Sequence, residues 1–240
     1  MSPKRKVAIL TATMAAFGVG VSVAIIAAGG GLSSGPGPSI LNPPTDKDIW
    51  QVGTNLHNGT TLDYLVTAKA EHSSLNSARV SMNFKDVGNA WQLNLTIVNG
   101  TGQAVERTIM LSKQLTREGQ LSDSVRPYFE PVQASVLAVR DMDYSGRPKY
   151  LVIGAPWDTI FTASSSITVR VTGQETVQTP AGSFNHAFVL SYKLQDKISK
   201  LWIVRDMPLP VKAEVYDAED NPLYKFELVK MTGISSTDLR

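Results

Sequence analysis

The chain has 240 residues, 23 basic and 21 acidic, with no cysteine and 42% hydrophobic residues. That length suffices for one sizeable core, and the missing cysteines exclude disulfides and thiolate metal sites. Lys4, Arg5 and Lys6 account for the positive balance: without them 20 basic residues face 21 acidic ones, which argues against a phosphate-binding surface and a nucleic-acid partner.

Residues 7–28 read VAILTATMAAFGVGVSVAIIAA, 22 residues without a charge, and about 20 apolar residues cross the hydrocarbon core as a helix. The basic flank at residues 1–6 belongs on the cytoplasmic side. The expectation is an N-terminal transmembrane helix acting as a signal anchor. It gives a single-pass protein of the cell membrane, with the membrane as a partner and the bulk of the chain extracytoplasmic. A cleaved signal peptide is the alternative, with the small residues at 27–30 as the cut. Residues 29–48, rich in glycine, serine and proline, read as a flexible linker. A β-rich domain follows at residues 49–232, and residues 233–240 read as a disordered tail.

Within that domain the period is mostly two. Val80, Met82 and Phe84 alternate with polar residues, as do Trp91, Leu93, Leu95 and Ile97; Val105, Arg107, Ile109 and Leu111; and Ile167, Val169 and Val171. Each run is a strand with one buried face. Turn signals stand at residues 86–89, 99–102, 179–182, 206–210 and 217–222, and place further strands at residues 184–194, 200–205, 211–216 and 223–230. Residues 124–140 differ: Phe129, Val132, Val136 and Val139 recur at helical spacing. The fold class expected is mainly β, an antiparallel meander forming a half-open barrel or curved sheet with one packed α-helix, plus the transmembrane helix.

Three sequons, at Asn58, Asn94 and Asn99, permit glycosylation on the outer side; turn and strand-edge asparagine is the plainer use. Asp141, Asp143 and Ser145 with Gly146 match the first half of a calcium loop, but Val152 stands where a bidentate glutamate belongs. A polar turn explains them as well, and no other cofactor is implied. His57, His72 and His186 are isolated in sequence, with no metal-ligand spacing. No G-x-S-x-G elbow occurs. Trp157, Phe161, Trp91 and Trp202 are candidates for a ligand or partner surface, with Trp157 the most accessible because its surroundings are irregular. Core packing accounts for most of them equally well.

The runs Thr179-Pro180-Ala181-Gly182-Ser183-Phe184, Leu201-Trp202-Ile203 and Leu209-Pro210-Val211-Lys212 resemble a segment of the β-rich periplasmic DUF3108-like proteins and their archaeal look-alikes. The resemblance covers about residues 165 to 230. It implies a half-open antiparallel barrel akin to lipoprotein carriers of the LolA/LolB type, and it implies no catalytic residue. The function expected is a binding or accessory module for an apolar ligand or a neighbouring envelope protein. Alternatives are a hydrolase or lyase using His186, Glu175 or Asp158 at the barrel mouth, and a structural envelope spacer.

Overall fold

Alternating apolar residues put one face of nearly every strand into a single core. The computed structural model describes residues 44–68, 75, 77–141, 148–161, 166–194, 197–216 and 222–233. In chain order the strands are β1 (Ile49–Trp50), β2 (Thr60–Ala68), β3 (Ala78–Asp86), β4 (Ala90–Val98) and β5 (Ala104–Ser112). Two helices follow, α1 (Arg126–Ala134) and α2 (Ala138–Asp141). The second half holds β6 (Lys149–Tyr150), β7 (Pro156–Phe161), β8 (Ser166–Thr179), β9 (Gly182–Leu194), β10 (Lys197–Ile203), β11 (Lys212–Tyr216) and β12 (Pro222–Thr232).

Ten strands form one antiparallel sheet in the order β5-β4-β3-β2-β12-β11-β10-β9-β8-β7, and β1 pairs with β6 in a small separate sheet. The main sheet is two meanders joined at β2 and β12, where Leu62 faces Met231 and Val66 faces Phe226. Its ends, β5 and β7, do not pair with each other. The sheet is therefore open, which corrects the expected half-open barrel. Closure requires the end strands to exchange hydrogen bonds. Here part of the β5 edge is taken by the chain's own residues 116–118 instead. The β8–β9 hairpin reaches back to β12. Register shifts at residues 171–173 and 175–177 bend it, and at its tip the Ala181 N–H donates to the Leu228 carbonyl.

The expected packed helix is present as α1, cut short, with the four-residue α2 after it. Pro131 lies inside α1 and lacks an N–H, and Ser135 Oγ donates to the Pro131 carbonyl at 2.6 Å. That side chain competes with the helical ladder, and α1 stops. Among the described residues no helix is long and apolar enough to cross a membrane. The expected transmembrane helix, the single-pass cell-membrane placement and the membrane partner therefore find no support among the described residues; the segment at residues 7–28 itself lies outside them.

The connection between β10 and β11 is the expected hairpin, since the two strands pair antiparallel, but it is buried. Residues 206–210 read as a hairpin turn, yet residues 207–211 are all buried. An irregular segment in a core must find partners for its polar backbone. Pro208 and Pro210 have no N–H to satisfy, and most of the carbonyls find donors. Asn55 Nδ2 donates to Asp206 at 3.1 Å, Trp50 Nε1 to Met207 at 3.2 Å, and Tyr64 Oη to Pro210 at 2.9 Å. The backbone N–H groups of Gly53 and Leu228 reach Pro208 and Val211 at 2.8 and 2.9 Å. Most of these donors come from residues 50–64, so the plug fastens the second meander to the start of the first.

Candidate functional site

The tryptophans expected at a binding surface lie in the core. Trp157 is 4% exposed, stacked on Trp50 with ring centroids 5.7 Å apart, and its Nε1 donates to the Tyr150 carbonyl. It is therefore not the accessible residue it was expected to be: β1 and β6 bring Trp50 against it. Trp91 meets Phe84 edge to face and carries Lys113 Nζ 4.1 Å from its ring centre. Trp202 donates from Nε1 to Glu175 Oε1 at 2.6 Å and has Lys212 Nζ 4.4 Å from its ring. Phe161 belongs to the β7 backbone, and its side chain is outside the described residues.

Each sequon asparagine uses its side-chain oxygen as an acceptor. Asn58 takes the Asp86 N–H, Asn94 takes Gln92 Nε2 and Thr108 Oγ1, and Asn99 takes the N–H groups of Thr101 and Gln103. Asp141 ends α2 in backbone only, and Asp143 and Ser145 lie outside the described residues. Among the described residues no three His, Cys, Asp or Glu side chains stand together as metal ligands. Glu175 is held by Trp202. His186 is exposed with φ of 59°, at the β9 side of the hairpin bend, and its carbonyl accepts from Gln174 Nε2. The side chain of Asp158 is not described. Among the described side chains, Glu175 and His186 form no acid–base pair.

The outward face of β10, β11 and β12 is a lattice of opposite charges. Lys212 meets Glu214 at 2.8 Å and Lys225 meets Glu227 at 3.0 Å, while the register sets Glu214 against Lys225 and Lys212 against Glu227. Such a lattice is self-satisfied and offers little net charge to a ligand.

What remains accessible is main-chain hydrogen bonding at the sheet's edge. Residues on β5 alternate, pointing their N–H and C=O toward β4 or away from it. The outward set is fixed by the Met110 carbonyl, which accepts from the Glu118 N–H, and by the Ser112 N–H, which donates to the Thr116 carbonyl. Ala104, Glu106 and Thr108 have the same parity. Their outward backbone groups have no backbone partner among the described residues. Gly119, at φ of 77°, turns the chain off this edge straight after Glu118, a conformation that glycine adopts without strain. Arg107 stands on the opposite face of β5. Its guanidinium lies 5.4 Å from the Tyr128 ring, with Nε donating to the Ser124 carbonyl at 3.2 Å and Nη1 to the Glu106 carbonyl at 2.7 Å. Here the sequence left a signal: a charged residue in the apolar register of a strand marks an incompletely buried end of the sheet.

No family model matches the chain, and no curated protein matches it. The resemblance to DUF3108-like and LolA/LolB-type proteins therefore gains no family assignment. Among solved structures the chain is similar to MucB, with a TM-score of 0.43 and 15% identity over 79% of this chain and 59% of that one. It is also similar to MucB in complex with MucA(peri), with a TM-score of 0.37 and 12% identity over 78% and 54%. The MucA/MucB complex of Pseudomonas aeruginosa gives a TM-score of 0.37 and 14% identity over 78% and 56%. The chain spans little more than half the length of these proteins. The likeness is a distant one of β-rich fold, and no residue role is carried over from it.

Proposed function

We propose that this chain is a non-catalytic binding module that takes an extended segment of a partner protein onto an open end of its sheet. The observation that supports this reading is the ten-stranded sheet whose end strands, β5 and β7, leave each other unpaired. A free strand edge is a template for another strand, with main-chain bonds supplying affinity and alternate side chains supplying specificity. The large aromatic side chains at Trp50, Trp91, Trp157 and Trp202 are committed to the core, which favours an edge over an aromatic ligand surface.

The test is selection of displayed random peptides on the immobilised full chain, followed by hydrogen exchange of the complex. Selected peptides should slow exchange in the backbone amides of β5 or β7. Peptides that bind tightly yet protect neither strand would remove the reading.

A further inference from the structure

Resting on that sheet-edge reading, we infer that the docking strand is specifically the first half of β5, residues 104–108, and that its partner is an extended peptide with a basic residue opposite Glu106. Three features of this edge lead there. Its outward N–H and C=O groups at Ala104, Glu106 and Thr108 have no backbone partner among the described residues. The chain has already begun to augment this strand: residues 116–118 run antiparallel to residues 110–112, with Leu111 facing Arg117. At Gly119 the chain leaves, so a partner strand continues a ladder already started.

The side chains then define the partner. Ala104, Glu106 and Thr108 are exposed on one face, and Glu106 has no ion-pair partner there among the described residues. A directly opposed lysine or arginine is favoured at such a cross-strand position and an acidic residue is disfavoured. On the other face Val105 and Arg107 are half-buried, and α1 brings Val125 and Tyr128 beside them. Residues of the partner pointing that way meet an apolar shelf. The Glu106 carbonyl already accepts from Arg107 Nη1, but a carbonyl oxygen has two lone pairs, and the guanidinium arrives from the α1 side.

A second copy of this chain fits poorly. Two-fold pairing centred on Glu106 opposes two carboxylates, and pairing centred on Arg107 opposes two guanidinium groups. Pairing centred on Val105 engages three residues before β5 ends at Ala104.

The test uses two capped probes, Thr-Val-Lys-Val-Thr and Thr-Val-Glu-Val-Thr, with the full chain, read by hydrogen exchange of residues 104–108. The lysine probe should slow exchange there and the glutamate probe should need about tenfold more peptide. Glu106→Lys should invert that order. Thr108→Pro should abolish binding by both while leaving the fold intact, because the N–H it removes faces away from β4 and an edge strand tolerates proline there. Equal occupancy by the two probes overturns the inference, as does lysine-probe protection elsewhere than residues 104–108. Slow exchange at 104–108 in a sedimenting dimer without probe overturns it in favour of a second copy. Display-selected peptides that protect β7 sink this inference alone; peptides that protect neither edge sink the sheet-edge reading as well.

Discussion

Replacing Tyr64 with phenylalanine removes one oxygen from the core and tests the plug directly. Tyr64 is fully buried, and its hydroxyl is the donor to the Pro210 carbonyl at 2.9 Å. Without it a buried carbonyl keeps no partner, at a cost of about 1–3 kcal/mol. The substitution has a second, opposite effect in alkali. Burial pushes the Tyr64 phenol well above its ordinary value of 10.0. Above that pH the unfolded chain releases the proton and the folded chain keeps it. The unfolded state then binds fewer protons, so stability falls as pH rises, by about 1.4 kcal/mol per pH unit per buried tyrosine. Tyr192, pushed up to about 12 chiefly by burial, adds a second such slope. Tyr224, raised by burial and then by Glu130, contributes alike to both proteins.

Tyr64→Phe should therefore begin less stable at neutral pH and lose stability more slowly above pH 10. With a neutral-pH penalty of about 2 kcal/mol, the two curves meet after about 1.5 units, near pH 11.5. Urea midpoints followed by tryptophan fluorescence across this range give both quantities. Tyr192→Phe serves as control, flattening the slope without touching the plug. Parallel profiles for wild type and Tyr64→Phe would refute the burial of this hydroxyl.

Leu209→Ala, at a fully buried plug position, should cost about 2–5 kcal/mol, seen as a lower thermal midpoint. Gly233→Ala should strain the end of β12: a Cβ there would sit 2.9 Å from Thr60 Cα, at φ of 78°. Faster exchange at residues 230–232 would report it, and unchanged exchange would contradict that close approach. Asp86 is held below its ordinary 3.8 by the hydrogen bond from Lys113 and then by the Gly88 N–H. That contribution is present above 3.8 and lost as pH falls through the folded value. The urea midpoints of wild type and Asp86→Asn should differ slightly at neutral pH and converge in acid.

The strands were legible because their chemistry is local. Leu93, Leu95 and Ile97 alternate, and β4 buries all three. Thr179-Pro180-Ala181-Gly182 marks a tight turn, and Thr179 pairs with Gly182 in the structure. What sequence pattern hid is whatever depends on distant partners. Asp206-Met207-Pro208-Leu209-Pro210 carries turn residues and read as a hairpin turn, and nothing in its pattern told that it is buried. The same prolines suit burial once Trp50, Gly53, Asn55 and Tyr64 supply donors from residues some 150 positions away. Trp157 looked accessible because its neighbours are irregular, and the two-residue pairing of β1 with β6 is too short to leave a periodic trace. The edge at β5 was half visible. Arg107 occupies an apolar position, and burial along β5 is confined to Ile109 and Leu111. Which strand lies at a sheet's end follows from topology, and the joining of β2 to β12 is what sends β5 and β7 outward.

That same joining governs how the chain divides. The first meander precedes the helices and the second follows them, each with several paired strands, so a cut between α2 and β6 would divide the chain between them. The energetics tie the two halves together. β2 would lose the partner that covers Tyr64 and Val66, whose ring neighbour Phe226 lies 6.2 Å from Tyr64. The plug would lose nearly every donor for its carbonyls, leaving several buried groups unsatisfied at about 1–3 kcal/mol each. Against a total stability of about 5–15 kcal/mol for a domain, either loss alone is severe. Fragments 1–147 and 148–240 should each lack cooperative thermal unfolding, and mixing them should restore it together with slow exchange in β2 and β12. Because that pairing spans most of the chain, refolding should be slow compared with the local hairpins, as expected when distant contacts must form before they reward loop closure. A cooperative melt from either fragment alone would show that the two meanders are independent, and that the β2–β12 seam is only a contact between them.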